Sequence, residues 1–418
     1  MSKNLTKSKL KIAVFHLAFV YSGGGERLIL EEVKRLQKKG HEVDVFTTLL
    51  NERECFPEMI KKFDIQTYIP NIPYISTHHG SLQILISCFL IPLYAHKFRH
   101  YNVIFAANQP SLWMAWVIKK LYGVPYVSYL AQPTRFLYPR KIDKETGLFF
   151  LKKENNSISV YMMRVFRNFI KWADNNSVSG SDIVLVNGPY MTNLLQKLYK
   201  VKTASCPAGT DITSKPAAVT ARHKGNLFVN KQIIKKPYLL ITNRHVSQKK
   251  FEYGIMILPS LLGEFPKLNL VITGVRTGYT ETLLKLITEM HLEDRVVFTG
   301  FTSDRDLRSL YKNAVVYLYT APEEDFGMGI IEAMGSGTPV VAWNKAGPTG
   351  TVIDSQTGFL VSPFNTLEFA SKVLMILRNK QLAREMSAKS LAHSQNFSWD
   401  RHVQTIENSL YNVIQKSC

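Results

Sequence analysis

The 418-residue chain contains 52 lysine and arginine residues against 32 aspartate and glutamate residues, which gives a formal net charge of +20. Hydrophobic residues make up 45% and charged residues 20% of the sequence, a composition that excludes a disordered chain and one wholly embedded in a membrane. The length favours two domains of roughly 200 residues each. The four cysteines lack C-x-x-C spacing, which argues against a zinc site or a disulfide framework and suits a reducing cytoplasm.

The predicted elements begin with a β-loop-α-β pattern. The run KIAVFHLAF predicts a buried strand, because a signal peptide would have a longer apolar region and a small-residue cleavage site. GGERLILEEVKRLQKKG predicts a helix that ends at Gly40, and HEVDVFTT predicts the next strand. Similar apolar runs follow in the first half: YNVIFAAN, VPYVSYLAQ and DIVLVN. This alternation indicates a parallel sheet covered by helices.

Two segments of the first half combine apolar and basic residues. Residues 81–101 contain an apolar run shorter than the roughly 20 residues that span a bilayer, and Pro92 interrupts it. Residues 161–173 mix aromatic residues with three basic ones. Either segment forms a core helix with a solvated basic face, or lies on an anionic membrane surface. With the net charge of +20 they favour peripheral membrane contact, and the absence of any nucleic-acid-binding motif disfavours nucleic acid as a partner.

The second half repeats the strand pattern after an aperiodic, polar and basic stretch at 213–237. Its five short apolar runs are PYLLITN, LNLVITG, RVVFTG, AVVYLYT and PVVAW. We therefore predict a first Rossmann-like domain over 1–212 and a second over 213–397. Ligands of open α/β sheets bind beyond the carboxyl ends of the strands, so two such domains facing each other would form a cleft lined by strand-end loops.

A glycine-rich turn, YSGGGERL, directly follows the first strand. Gly24 and Gly25 allow close approach of a ligand, and the N–H groups of the following helix suit an anion. Glu26 and Arg27 interrupt the dinucleotide fingerprint G-x-G-x-x-G. The turn either binds phosphate or only solves a packing problem.

A basic loop, TNRHVSQKK, follows the first strand of the second half. Arg244 and Lys249 are five residues apart at a strand end, where both could reach one diphosphate. The alternative is a solvated basic loop in a basic protein.

Two acids flank a glycine turn in APEEDFGMGIIEAMG, with Glu324 before the turn and Glu332 on the following helix. Carboxylates accept hydrogen bonds from sugar hydroxyls, and the N–H groups of a helix start bind phosphate. Paired carboxylates are also typical of glycosidases, but these two lie beside phosphate-binding loops and therefore favour a nucleotide sugar. No D-x-D sequence appears at a strand end, so we expect no obligatory metal and no cofactor.

The E-x7-E spacing of Glu324 and Glu332, the run GMGIIEAMGSGTPVVAW and TGFLV at 357–361 resemble the retaining family-four glycosyltransferases. The resemblance extends to GGGERL, RHVSQK, RVVFTGF and the terminal FSWDRHVQTIENSLYNVI. It implies the α/β fold called GT-B, with two Rossmann-like domains, a cleft between them, and a C-terminal helix at about 398–418 that crosses back to the first domain. GGGERL, CFPE at 55–58 and QPTRFLY at 132–138 are similar to the α-mannosyltransferases that extend lipid-linked oligosaccharides.

The resemblance also implies roles for the residues that contact the donor phosphates. Gly24 and Gly25 would approach the phosphates and the reacting centre, while Arg244 and Lys249 would hold the diphosphate and stabilise the leaving group. Transfer would then occur on the front face with retention of configuration.

Further roles concern the sugar and the base. The resemblance implies that Glu332 binds the ribose hydroxyls, that Glu324 holds the transferred sugar, and that Phe298 lies near the base. The backbone of three turn residues would assist Glu324: Phe326, Gly327 and Met328.

This chain departs from the family at two places. Relatives carry a histidine where this chain has Gln132, which cannot take a proton, and a glutamate after GGP where it has Thr349 and Gly350. The remaining acceptor-side candidates are Arg135 and His16, although a histidine at the end of a first strand is more often simply hydrogen-bonded in the core.

The sequence thus predicts a retaining, metal-independent glycosyltransferase on the cytoplasmic side, peripheral to the inner face of a membrane. Its expected partners are a nucleotide-sugar donor, with GDP-mannose favoured and UDP-sugars open, a lipid-linked or polysaccharide acceptor, and an anionic membrane surface. The alternative is a catalytically weakened homologue that binds a nucleotide sugar or a glycan as a partner subunit.

Overall fold

The computed structural model describes residues 8–70, 72–78, 80–147, 158–212 and 225–417. The described chain divides into two compact units. The first unit comprises the described residues of Met1–Arg140, Gly147–Ala208 and Trp399–Cys418, and the second those of Lys141–Thr146 and Gly209–Ser398. The main junction therefore follows Ala208, whereas the sequence pattern predicts it after residue 212, and no pattern predicts the assignment of Lys141–Thr146 to the second unit.

A parallel sheet forms the centre of the first unit. Its strand order is β5-β3-β1-β6-β7-β8-β9, and a separate parallel pair joins β2 to β4. The strands are β1 Lys11–His16, β2 Ala18–Phe19, β3 Glu42–Thr47, β4 Leu49–Leu50, β5 Ile65–Thr67, β6 Val103–Ala107, β7 Tyr126–Leu130, β8 Ile183–Val186 and β9 Ala204–Ser205. The run KIAVFHLAF, expected as one strand, thus forms β1 and the short β2.

Helices cover this sheet, as the alternating sequence pattern predicts. In chain order they are α1 Gly24–Lys38, α2 Pro57–Ile60, α3 Pro73–His78, α4 Gly80–Tyr94, α5 Ser111–Tyr122, α7 Ile158–Val165, α8 Arg167–Ser179, α9 Pro189–Tyr199 and α18 Trp399–Ser417. Helix α1 ends as predicted, because Gly40 adopts a φ of 92° that favours glycine. Both faces of β1 are buried, and its Ala13 and Phe15 share a core with α4, α5 and α9.

Helix α4 is longer than its apolar run suggested. Pro92 lies inside it, and a 3-10 turn at Ala95–Phe98 extends the helical segment to 19 residues. By length and composition alone, Gly80–Phe98 could cross a membrane, although it also packs against α5 and α7. The expectation that Pro92 interrupts the helix is wrong.

The C-terminal helix α18 packs against α1 and against strands β6, β7 and β8 of the first unit. Four apolar residues, one or two helical turns apart, are buried along it: Val403, Ile406, Leu410 and Val413. The predicted return of the C-terminal helix to the first Rossmann-like half is confirmed.

A second parallel sheet forms the centre of the second unit, with the order β14-β13-β12-β15-β16-β17. Its strands are β12 Tyr238–Thr242, β13 Asn269–Thr273, β14 Val296–Gly300, β15 Val316–Tyr319, β16 Val340–Trp343 and β17 Gly358–Val361. An antiparallel hairpin of β10 Leu227–Val229 and β11 Gln232–Ile234 precedes them. The five runs of the second half correspond to β12–β16, and β17 coincides with TGFLV.

The helices of the second unit surround a core that includes Trp343 and Phe369. They are α6 Lys141–Glu145, α10 Glu252–Met256, α11 Leu258–Leu262, α12 Gly278–Glu289, α13 Asp304–Asn313, α14 Met328–Gly335, α15 Pro348–Thr351, α16 Thr366–Arg378 and α17 Lys380–Ser394.

Both sheets have the strand order of Rossmann-like folds, in which the order reverses beside the first strand. The reversal lies between β1 and β6 in the first unit and between β12 and β15 in the second. Ligands of such sheets bind at the carboxyl ends of these strands. The predicted site residues lie in the strand-end segments of the two units.

Candidate active site

Two predicted donor-binding residues contact each other in the second unit. Lys249, at the end of a 3-10 turn after β12, forms an ion pair through its Nζ atom with Oε2 of Glu324. The two side chains are 21% and 22% exposed, so the pair is accessible but well shielded from solvent. Thr320 fixes the loop by donating a hydrogen bond from Oγ1 to the carbonyl oxygen of Lys249 over 2.8 Å. A residue predicted to hold diphosphate and one predicted to hold sugar thus share one site.

Arg244, the second predicted diphosphate ligand, is exposed where the chain leaves β12. Its backbone N–H donates to Oδ1 of Asn243 over 3.0 Å. Gly274, at the end of β13, has a φ of 138°, and a Cβ atom added there would lie 1.7 Å from the carbonyl oxygen of Asn243. Only glycine allows the ends of β12 and β13 to approach this closely.

His245 follows Arg244 but is fully buried, and no sequence motif identifies it as a site residue. Its Nδ1 atom lies 3.0 Å from Oγ1 of Thr280. Burial, assisted by the positive charge of Arg276, lowers the pKa of His245 to about 4, so the ring is neutral at physiological pH. The ring of Phe298 lies between the His245 ring and the Arg276 guanidinium, with its side chain 6% exposed. The base-binding role of Phe298 stays a prediction.

Glu332 is held by a buried hydroxyl network that sequence reasoning missed. The hydroxyl of Tyr311 donates to Oε2 of Glu332 over 2.8 Å. Oγ1 of Thr242 lies 2.8 Å from the hydroxyls of both Tyr311 and Tyr317. Burial, and then the charge of Glu332, raise the pKa of Tyr311 well above its usual value, so this phenol remains a neutral donor. The network orients the carboxylate at the carboxyl end of β12.

The turn before α14 requires its glycines. Gly327 has a φ of 94°, and α14 begins at the next residue. A Cβ atom on Gly329 would lie 2.2 Å from the hydroxyl oxygen of Tyr317. The first turn of α14 therefore packs directly over the hydroxyl network, and the first N–H groups of a helix have no acceptors within it. Such a helix start suits an anionic group.

The segment that replaces the family's third acid packs against this same turn. The N–H of Gly347 donates to the carbonyl oxygen of Glu324 over 2.7 Å, and a Cβ atom there would lie 2.4 Å from the nitrogen of Phe326. Thr349 donates from Oγ1 to the carbonyl oxygen of Ala346 over 2.7 Å. Thr349 thus closes a local turn directly before Gly350, which stands where relatives carry the acid.

Glu323 links α6 to the candidate site. Its Oε2 accepts a hydrogen bond of 2.9 Å from the N–H of Ile142, and its Oε1 accepts one of 2.7 Å from Nζ of Lys345. These contacts hold Lys141–Thr146 against the second unit beside Glu324. The sequence offered no signal for them, because the partners lie 181 and 22 residues away along the chain.

In the first unit, His16 ends β1 and faces the first turn of α1. Its side chain is 4% exposed, its Nε2 atom lies 3.9 Å from Oε1 of Glu26, and neither ring nitrogen has a hydrogen-bond partner among the described residues. Helix α1 begins at Gly24, and a Cβ atom on Gly25 would meet no atom within 4 Å. His16, Gly24 and Gly25 therefore occupy one region, as expected from their positions after β1.

Ser22 joins the glycine turn to the CFPE motif. Its Oγ atom donates to the carbonyl oxygen of Glu54 over 3.0 Å and accepts from the N–H of Phe56 over 2.8 Å. Burial, and then the charge of Glu26, raise the pKa of Cys55 to about 12. The thiol is therefore neutral and has a packing role beside the turn.

Gln132 is exposed, and its Oε1 atom lies 3.4 Å from Nε of Arg135, so these two acceptor-side candidates are neighbours. The backbone N–H and carbonyl groups of the preceding residue, Ala131, are both hydrogen-bonded. Ala131 donates to Oδ1 of Asn108 over 3.0 Å and accepts from Nδ2 of Asn187 over 3.2 Å.

A buried carboxylate holds the rest of this loop. Thr134 donates from Oγ1 to Oδ1 of Asp174 over 2.5 Å, and the hydroxyl of Tyr199 donates to Oδ2 over 2.7 Å. Burial raises the pKa of Asp174 against the opposing effect of these hydrogen bonds. Asp174 is a positioning residue for the loop and was not identified from the sequence.

Among the residues that the structure describes, no group of three or more histidine, cysteine, aspartate or glutamate side chains could hold a metal ion. The expectation of a metal-independent reaction stays a prediction.

Two family models match the chain side by side. The model described as Glycosyltransferase Family 4 matches residues 22–213, and the model described as Glycosyl transferases group 1 matches residues 225–392. The alpha-1,3/1,6-mannosyltransferase ALG2 of Mus musculus is 22% identical, with all of both chains covered. A GDP-Man:Man(3)GlcNAc(2)-PP-Dol alpha-1,2-mannosyltransferase of Dictyostelium discoideum is 25% identical over 94% of this chain and 82% of that protein.

The fold agrees with a solved structure. HepE of Anabaena, in complex with UDP and glucose, superposes with a TM-score of 0.69 at 19% identity, covering 96% of this chain and 99% of HepE. Two Rossmann-like units with parallel sheets and matches to both family models define a glycosyltransferase of GT-B fold. The chain belongs to the family-four glycosyltransferases.

Proposed function

We propose that the protein is a retaining, metal-independent glycosyltransferase that moves mannose from GDP-mannose to a lipid-linked or polysaccharide acceptor at the cytoplasmic face of a membrane. The observation that carries the proposal is the ion pair of Lys249 with Glu324, together with the hydroxyl-anchored Glu332 of the same unit. A cation that suits phosphate and two carboxylates that suit sugar hydroxyls support this proposal.

On the donor side, Glu332 accepts hydrogen bonds from the ribose hydroxyls, while a hydrogen bond from Tyr311 keeps the Glu332 carboxylate in its orientation. Tyr311 donates this hydrogen bond to Oε2 of Glu332. Arg244 and Lys249 hold the diphosphate, and the first N–H groups of α14 add donors to the sugar or phosphate oxygens. Binding of the donor would redirect Lys249 from Glu324 towards the diphosphate, leaving Glu324 to accept hydrogen bonds from the transferred sugar.

In the transfer step, the acceptor hydroxyl oxygen bonds to the anomeric carbon on the face from which the diphosphate departs. The bond from that carbon to the phosphate oxygen breaks, the leaving group takes its electron pair, and the hydroxyl proton passes to the leaving phosphate oxygen. Arg244 and Lys249 stabilise the negative charge that develops there. No second carboxylate is needed as nucleophile, which agrees with the position of Glu324 in an ion pair with Lys249.

The choice of mannose and of a lipid-linked acceptor is supported by the activities of relatives that align over most of this chain. A UDP-sugar remains the alternative donor, since HepE was solved with UDP and glucose. The choice of a membrane face is supported by the apolar and basic helices of the first unit.

A second candidate function rests on Gln132 and Gly350, which stand where relatives carry a histidine and the glutamate of GGP-x-E. A homologue with both substitutions could bind a nucleotide sugar without transferring it and act as a partner subunit. The exposed Gln132 still donates hydrogen bonds but takes no proton, so the two functions differ in turnover and not in donor binding.

Calorimetric titration with GDP, UDP, GDP-mannose and UDP-N-acetylglucosamine, followed by a sugar-transfer assay on lipid-linked acceptors, tests both candidates. We expect selective GDP-mannose binding that weakens 10- to 100-fold in Glu332→Gln, since hydrogen bonds to a charged group contribute about 1.5–3 kcal/mol. The exposed Glu289→Gln is the matched control. Binding without turnover would favour the partner subunit, and failure to bind any of the four ligands would overturn both.

A further inference from the structure

Four helices of the first unit, α4, α5, α7 and α8, pack against one another and bring aromatic residues together. Six rings form one connected set, here called the aromatic surface: Phe89, Trp113, Trp116, Phe166, Phe169 and Trp172. Phe169 connects the helices, with its ring 5.7 Å from those of Phe89, Trp113 and Trp172.

The aromatic surface is open to solvent. Phe89 is 48% exposed, Phe169 38% and Trp172 49%. Five further apolar side chains of the same helices are exposed: Leu93 on α4, Leu121 and Tyr122 on α5, and Tyr161 and Val165 on α7. Isolated apolar residues are common on protein surfaces, but contiguous aromatic side chains mark a binding surface.

The charged side chains on these four helices are mainly basic, although Lys119 of α5 pairs with Asp182 over 2.7 Å. The four helices contain five basic residues and one acid, Asp174, which is buried. The basic residues are Lys119, Lys120, Arg164, Arg167 and Lys171. Nζ of Lys120 lies 5.7 Å from the Trp116 ring centroid, so a cation adjoins the aromatic rings.

We propose that the aromatic surface docks onto an anionic lipid bilayer, with its rings in the headgroup region and its basic side chains against lipid phosphates. Tryptophan and other aromatic side chains favour the membrane interface, and basic residues strengthen binding to anionic lipid. The apolar helix α4 contributes Phe89 and Leu93, which would be buried in the bilayer on docking. The proposal deepens the proposed function, and rests on it only for the lipid-linked acceptor that docking would bring within reach.

Helix α8 gives the docking surface a direct link to the acceptor-side loop. Trp172 and Phe169 are exposed on α8, whereas Asp174 and Ser177 of the same helix are buried. Asp174 accepts the hydrogen bond from Thr134, two residues after Gln132. Docking through α8 would therefore place the loop of Gln132 and Arg135 near the lipid surface.

The test is co-sedimentation of the full chain, without donor, with vesicles of phosphatidylcholine alone or mixed with phosphatidylglycerol. We expect binding only to the mixed vesicles, weakened by salt. The double variant Lys120→Gln with Lys171→Gln should bind about 25-fold more weakly, since each basic residue near an anionic surface strengthens binding roughly fivefold. The matched control is Lys267→Gln with Lys389→Gln, which removes two exposed lysines of the second unit.

The aromatic contribution has its own variants. Phe169→Ser with Trp172→Ser should weaken vesicle binding about tenfold or more. Phe228→Ser, which removes an exposed aromatic side chain of the second unit, should leave binding unchanged.

A measurement on the unaltered protein avoids any folding defect of the variants. Three of the five tryptophans lie in the aromatic surface, while Trp343 and Trp399 are buried. Brominated lipid should therefore quench a large part of the fluorescence. No quenching, no pelleting, or equal pelleting of the variants and their controls would overturn the proposal, as would a surface that instead joins two copies in solution. Donor binding and sugar transfer that persist without vesicle binding would leave the proposed function intact.

Discussion

Tyr311 donates a hydrogen bond to Glu332 across 2.8 Å, from a hydroxyl that is itself buried against Thr242. We expect Tyr311→Phe to weaken donor binding about 5- to 50-fold, because Glu332 loses the donor that orients its carboxylate. Calorimetric titration with the preferred nucleotide sugar measures the effect.

The matched control is Tyr238→Phe. Tyr238 is buried in the same unit and donates to the carbonyl oxygen of Leu310 over 2.7 Å, with no contact to Glu332. Both variants should lose about 1–3 kcal/mol of unfolding free energy, but only Tyr311→Phe should change donor affinity. Equal donor affinity in the two variants would remove the orienting role of Tyr311.

Because Lys249 and Glu324 form an ion pair, we expect the effects of their substitutions on kcat to be strongly coupled. Lys249→Met should reduce kcat about 100- to 1000-fold, since a donor aimed at the developing charge of the leaving group is lost. Glu324→Gln should also reduce kcat, and the double variant should lose less than the product of the two single effects. Steady-state kinetics of the four proteins gives the coupling.

Lys250→Met provides the comparison for Lys249→Met. Lys250 is the next residue, is similarly exposed, and pairs with Glu252 over 3.4 Å. The Lys250→Met variant should have a kcat close to that of the unaltered protein. If both lysine variants slow the reaction alike, the effect belongs to the basic loop as a whole.

We expect substitution of Asp174 to raise the KM for the acceptor. Asp174→Asn keeps the size of the side chain but exchanges an acceptor oxygen for an amide donor, so that either Thr134 or Tyr199 faces a donor instead of an acceptor. We expect a rise of about tenfold in KM for the acceptor, with little change in donor affinity, and a loss of about 1–3 kcal/mol in unfolding free energy. Asp182→Asn, which alters the contacts to Lys119 and Tyr126, should reduce stability without raising the acceptor KM.

Sequence patterns were sufficient to predict the two sheets, but they did not identify the residues that position the site side chains. The five apolar runs of the second half predicted β12–β16 because strands of parallel sheets are buried on both faces. Lys249 and Glu324 were both predicted from local motifs, but their contact was not, since 75 residues separate them. Tyr311 and Asp174 lie on helices whose local pattern identifies only a buried or an exposed face.

A buried pair attaches the C-terminal helix to the first unit. Nδ1 of His402 donates to the carbonyl oxygen of Pro207 over 2.8 Å, and Nε2 lies 2.7 Å from Oε1 of Glu32 on α1. Burial alone would lower the pKa of His402, but Cys206 and Glu32 outweigh it and raise the pKa to about 10. Burial also raises the pKa of Glu32.

His402 binds its proton more tightly in the folded protein, so it makes stability fall as pH rises. Its contribution is fully present below pH 6.5, the unfolded pKa of histidine, and is lost towards pH 10. His402→Gln should cost about 3 kcal/mol or more at pH 6, and the difference from the unaltered protein should shrink by pH 10. Denaturant unfolding across this range measures it.

His393→Gln is the comparison variant, because the contribution of His393 to stability depends on pH in the opposite direction. Burial lowers the pKa of His393, so its contribution is lost as pH falls rather than as it rises. A cost of His402→Gln that stays constant between pH 6 and pH 10 would contradict the proposed protonation of the pair.

The position of α18 has a consequence for the order of events on the ribosome. The second unit is built almost entirely from Gly209–Ser398, so its folding does not require α18. The first unit begins earlier but ends later, because Val403, Ile406 and Leu410 cover its strands only after α18 has left the exit tunnel. Until then the nascent chain carries an uncovered apolar sheet face, which makes the first half prone to association during translation.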